Sequence, residues 1–164
     1  MTGECTVVVV TAEAMRDLGA VLGRAARGGD VIVLTGDLGA GKTTLTQGIA
    51  LGMGVTDRVT SPTFVISRVH ENPTGGPALV HVDAYRLGSV REVDDLDLDL
   101  DLDRGVVVVE WGEGLVEDLS ESLLRLAITR SDDADDERRV VAVVSEDPRW
   151  QDAISELPPS GAPS

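Results

Sequence analysis

Two periodicities alternate along this chain. Thr6 to Val10 is a β-branched run that reads as a strand, and from Thr11 to Arg27 the apolar positions Met15, Leu18, Val21 and Leu22 recur at helical spacing. Gly28 and Gly29 break that helix. Val31 to Leu34 is then a continuous apolar run of the kind found in a strand buried on both faces. Gly36 to Gly41 follows as a glycine loop, and Thr43 to Met53 reads as the next helix. Thr63 to Val69 and Leu79 to Tyr85 read as the strands of a hairpin around the turn-rich ENPTGGP. Val106 to Val109, a second uninterrupted β-branched run, belongs at the centre of a sheet. Leu123 to Thr129 and Val140 to Val144 are late strands joined by the acidic SDDADDE. The pattern predicts one α/β domain over residues 1–150 and a loose tail over 151–164, which ends LPPSGAPS.

One segment departs from these patterns. DDLDLDLDLD, Asp94 to Asp103, alternates strictly, but aspartate is a poor strand former, and the segment lacks the glycine of calcium-binding loops. It reads as a solvated acidic loop or a short helix.

Composition narrows the classes available. The 164 residues fit a single domain, and the lone cysteine, Cys5, cannot form an internal disulfide, which suits a reducing compartment. The start MTGECTVVVV lacks a basic region before an apolar core, and no apolar run approaches the roughly 20 residues needed to span a bilayer. A cytoplasmic protein with no membrane contact is expected. The formal net charge of -15 repels phosphate backbones, so unaided RNA binding is disfavoured and any RNA would be held by a more basic partner. Lys42 is the only lysine; the other basic residues are all arginine.

That lysine stands in GDLGAGKT, Gly36 to Thr43, a full match to G-x-x-x-x-G-K-[ST] between a predicted strand and a predicted helix. In such a loop the glycines let successive backbone N–H groups turn towards phosphates, and the helix N-terminus adds its positive dipole end. Gly39, Ala40 and Gly41 therefore line a candidate phosphate cradle. Lys42 supplies a point charge to the β- and γ-phosphates, the Thr43 hydroxyl suits Mg²⁺, and Thr44 can reach the α-phosphate. A compact ammonium at this one place, in a chain otherwise built with arginine, fits that task.

Magnesium also needs a carboxylate, and two strands end in one. HVDAYR places Asp83 after Leu79, Val80 and Val82, and GVVVVEWGE places Glu110 directly after Val106 to Val109; either suits the Walker B role. The nucleobase can be narrowed too. Guanine-specific P-loop proteins read the base with an N/T-K-x-D motif, which this chain cannot contain, so ATP is favoured over GTP. Thr63, in Ser61-Pro62-Thr63-Phe64, lies about where related nucleotide switches place a threonine that senses the γ-phosphate and magnesium. Phe64 reads as core packing, Trp111 as a side chain beside a candidate metal ligand, and His70 and His81 as structural or exposed, since neither has metal-ligand spacing.

Taken in order, GDLGAGKTT, SPTF, HVDAYRL and EWGE closely resemble the TsaE family, also called YjeE, over roughly residues 6 to 145. The resemblance implies a three-layer P-loop NTPase fold with a mostly parallel central sheet and an antiparallel portion. It implies an ATPase that works with the TsaD and TsaB proteins in threonylcarbamoylation of adenosine 37 in tRNAs reading ANN codons, meeting tRNA only through that complex. By motif, Lys42 and its loop would bind phosphates, Thr43 with Glu110 would ligate Mg²⁺, Asp83 would be the Walker-B-like acid and Thr63 the switch threonine. Thr11 and Arg138 stand where the family contributes further nucleotide contacts. Two readings compete: a small-molecule kinase on the same fold, for which no arginine-rich lid is evident, and a nucleotide-gated binding module with negligible hydrolysis.

Overall fold

The β-branched runs pair edge to edge into one sheet. In the computed structural model, residues 3–36, 41–56, 67–83, 105–110, 123–130 and 138–157 are described. Among them the elements follow the order β1 (Gly3–Val9), α1 (Ala12–Ala25), β2 (Val31–Gly36), α2 (Lys42–Met53), β3 (Ser67–His70), β4 (Ala78–Asp83), β5 (Gly105–Glu110), β6 (Leu123–Arg130), β7 (Arg139–Ser145) and α3 (Arg149–Ile154). The sheet order is β1-β7-β6-β2-β5-β4-β3.

The four inner strands β6, β2, β5 and β4 run parallel, and β7 and β3 run against their neighbours. The mostly parallel sheet with an antiparallel portion is as the sequence implied. The expected hairpin is β3–β4, and the run from Val106 to Val109 sits beside central β2. Burial explains the order. Every residue of β5 is buried, as continuous apolar strands require when both faces are covered. Ile32, Leu34, Val106, Val108 and Leu79 enter the core shared with α1 and α2. Val31, Val33, Val80, Val82, Val107 and Val109, of opposite parity, are buried as well. In β6 only Leu124, Leu126 and Ile128 are buried, while Arg125, Ala127 and Thr129 are exposed, so that wing of the sheet is covered on one face. Each buried valine or leucine contributes roughly 1.5–3 kcal/mol relative to exposure.

Thr11 begins α1 as its N-cap, accepting a hydrogen bond on Oγ1 from the Ala14 N–H at 3.0 Å. The predicted apolar stripe Met15, Leu18, Val21 and Leu22 is buried. Between α1 and α2 the seam is made of glycines: a Cβ added at Gly19 or Gly23 would overlap the backbone of Leu45 or Ile49, and one at Gly48 or Gly52 the backbone of Arg16 or Ala20. The two helices therefore meet backbone to backbone.

Order extends further towards the C-terminus than the sequence suggests. Residues 151–154, expected in a loose tail, continue the helix α3, which packs on α1 and seats the fully buried Trp150 in the core. No helix among the described residues is long and apolar enough to cross a membrane.

Candidate nucleotide site

The parallel strands carry their C-terminal ends to one edge of the sheet, the edge where open α/β sheets bind ligands. Strand β2 ends there at Gly36, and α2 starts at Lys42 after the N-cap Gly41. Gly41 has φ 114°, a left-handed conformation that side-chain-bearing residues avoid, and a Cβ there would also come 3.1 Å from the Met15 Cε. Its carbonyl accepts from the Leu45 N–H at 2.9 Å, opening the helix. The first turn of α2 holds no acidic residue, so its positive dipole end faces no built-in anion from that turn. Lys42 is 7 % exposed and donates from Nζ to the Gly36 carbonyl oxygen at 2.6 Å, folded back over the end of β2. Thr43 and Thr44 stand half-buried in the same turn, and the Thr46 hydroxyl donates to the Lys42 carbonyl at 2.8 Å.

Glu110 closes β5 at this edge. Its Cα pairs in register with Leu34 of β2 and with Asp83 of β4, so both strand-end acids fall on adjacent strands, roughly 4.8 Å apart in such a sheet. Glu110 is 4 % exposed, and its Oε2 lies 2.9 Å from the Nε2 of the fully buried His81. A carboxylate this buried costs free energy unless it is hydrogen-bonded or meets a cation, which is the condition of a ligand or catalytic acid.

Two outlying candidates reach the same edge. β1 ends at Val9, opposite Arg139 of β7, so Thr11 just beyond Val9 and Arg138 just before Arg139 both lie at the edge where Gly36 and Glu110 end their strands. Thr11 is one turn from Met15, the residue against Gly41, and its hydroxyl is engaged as the helix cap. Arg138 is exposed. Asp83 is placed through its backbone in β4, while Gly39, Ala40 and Thr63 lie outside the described residues. No group of three or more His, Cys, Asp or Glu gathers among the described residues.

A family model for the threonylcarbamoyl adenosine biosynthesis protein TsaE matches residues 9–140. The chain belongs to the TsaE family. The TsaE protein of Streptomyces coelicolor is 56 % identical over 141 residues, covering 85 % of this chain and 95 % of that relative. The TsaE protein of Bacillus subtilis is 44 % identical over 116 residues, covering 70 % of each chain. Among solved structures, Bacillus subtilis YdiB superposes with a TM-score of 0.72 at 31 % identity, covering 95 % of both chains. The family resemblance and the α/β fold read from the sequence are thus both met, and this TsaE-family chain takes its place among proteins of tRNA threonylcarbamoyladenosine biosynthesis.

One neighbour of the site was not visible as such in the sequence. His81, expected to be structural or exposed, is buried and bonded to Glu110. The available signal is register: setting the two strand-ending acids Asp83 and Glu110 side by side puts His81 on the strand next to Glu110 and on the same face.

Proposed function

We propose that this chain is a MgATP-binding P-loop ATPase that serves threonylcarbamoylation of adenosine 37 in tRNAs reading ANN codons, working with TsaD and TsaB and touching tRNA only through them. The observation that carries the reading is Lys42, buried at the start of α2 behind the left-handed Gly41 and beside a strand end that bears the buried Glu110. A cationic side chain, a helix N-terminus free of acids and a buried carboxylate at one sheet edge fit a phosphate chain with its metal. In this reading Gly39 to Thr44 hold the phosphates, Thr43 and Glu110 hold Mg²⁺, Asp83 is the Walker-B-like acid, Thr63 reports the γ-phosphate, and Thr11 and Arg138 contact the nucleotide from outside the loop. When bound, Mg²⁺ would neutralise phosphate charge.

Hydrolysis should be slow in isolation. No arginine stands in a motif that marks it as a finger, and P-loop NTPases lacking that charge turn over at about 10⁻⁴ to 10⁻³ per second, with its supply worth on the order of 10³ to 10⁵. TsaD–TsaB would supply the charge or order the site, and the acidic surface suits a more basic partner. The test measures ATP and GTP binding, and phosphate release with and without TsaD–TsaB, for the parent and Lys42→Ala. ATP preferred over GTP, partner-stimulated release, and a folded Lys42→Ala without detectable binding or release are expected. A folded Lys42→Ala that hydrolyses ATP at the parent rate overturns the reading.

A further inference from the structure

The carboxylate assigned above to magnesium is gripped by a side chain on the next strand. His81 pairs in register with Val108, and Glu110 lies two residues beyond Val108, so the two project from the same face of adjoining parallel strands. His81 Nε2 and Glu110 Oε2 are 2.9 Å apart in a buried setting. An ionised carboxylate can only accept, so Nε2 carries the hydrogen and donates. Among the described residues the buried His81 Nδ1 has no hydrogen-bond partner. The contact therefore orients the carboxylate. The terminal torsion of a glutamate is otherwise broad and nearly two-fold, and tethering Oε2 selects one orientation. Oε1 is left as the oxygen for a cation.

We propose that His81 is a positioning residue for the magnesium site: its Nε2–H holds Oε2 of Glu110 and leaves Oε1 to the metal. This rests on the nucleotide-site reading given above. It also gives the fully buried histidine a task that filling space does not require, since an apolar side chain at 81 would bring no polar ring atoms into the core. Hydrogen-bond partners of ligating carboxylates typically govern metal affinity by 10–100-fold.

The test is the affinity for ATP with Mg²⁺ and with chelator, in the parent, His81→Leu, His81→Asn and His81→Gln, each checked for folding by thermal denaturation. Glutamine can place an amide N–H near the Nε2 position, whereas asparagine is too short. With chelator, all folded variants should bind ATP alike. With Mg²⁺, His81→Leu and His81→Asn should need about tenfold or more Mg²⁺ for half-maximal enhancement, and His81→Gln should recover most of the loss. Should His81→Leu not fold, the contrast between Gln and Asn decides. Parent-like Mg²⁺ dependence in Leu or Asn, or equal behaviour of Gln and Asn, overturns the proposal. Loss of chelator-phase binding in step with Mg²⁺-phase binding shows a merely structural role and overturns it too. A parent that binds no ATP in either condition instead defeats the nucleotide-site reading.

Discussion

Arg149 closes a two-pronged ion pair on Asp30, a residue far back in the chain between α1 and β2: Nη2 meets Oδ1 at 2.7 Å and Nη1 meets Oδ2 at 2.9 Å. Asp30 is buried and also accepts the Arg27 N–H on Oδ2 at 2.6 Å, while Nη1 donates to the Ala25 carbonyl at 2.9 Å. The guanidinium lies 4.4 Å from the ring centre of Trp150. One side chain thus fastens α3, the C-terminal end of α1 and the entry to β2.

Replacing Arg149 by Ala should cost about 3 kcal/mol, because it takes the cationic partner from the buried Asp30 carboxylate. Asp30 precedes β2 and Gly36 ends it, about 20 Å away at strand rise. Nucleotide affinity per folded molecule should therefore not change. Urea denaturation and an ATP titration check the two halves, and a loss of affinity without a loss of stability would contradict this division.

Asp147 gives a pH dependence. The Arg149 backbone N–H first, and then the Arg149 charge, hold its carboxyl below the ordinary carboxylate value, against a partial burial that pushes it up. A lowered folded value stabilises above the unfolded value, and that contribution disappears as pH falls through the folded one. The parent should exceed Asp147→Asn in stability near neutrality, and the gap should close below about pH 3.8. With the side chain 39 % exposed, solvent screening keeps the effect below about 1 kcal/mol. Denaturation midpoints of both proteins across that range provide the check.

Gly48→Ala should destabilise by about 3 kcal/mol, since the new methyl group meets the Arg16 backbone, which cannot swing aside as a side chain would. Gly28→Ala, with nothing within 4 Å of the added carbon, should stay within about 0.5 kcal/mol of the parent. Equal effects in thermal denaturation would show that the seam opens without cost.

Gly41→Ala tests the loop conformation. Holding alanine at φ 114° costs roughly 1–2 kcal/mol, so ATP affinity should fall about tenfold while the fold persists. Calorimetric titration of the folded variant is the measurement; unchanged affinity would mean that the left-handed turn is dispensable.

What could be read from the chain alone follows from the range of the interactions. Val31–Leu34, Val106–Val109 and the stripe Met15 to Leu22 declare themselves through local periodicity, and GDLGAGKT through its glycines, because short-range sterics decide those conformations. Helix α3 stays hidden: RWQDAI is short and polar, and its anchors, Asp30 and the core around Trp150, are distant in sequence. His81 stays hidden for the same reason, its partner being on another strand. Thr63, Gly39 and Ala40 fall outside the described residues, so their part in the site rests on the motif.

The glycine seam bears on how this molecule can respond to a nucleotide. Side chains can exchange rotamers and let a helix slide, but facing backbones have no such slack, and any shift of α2 along α1 would drive carbonyls of one into the other. Helix α2 is therefore a fixed anvil, locked to α1 and through α1 to α3. Under the function proposed above, a nucleotide held at Lys42 would not be signalled by a slide of this helix. A partner of the kind proposed above would then find the α1–α2 seam unchanged whether or not the loop is occupied.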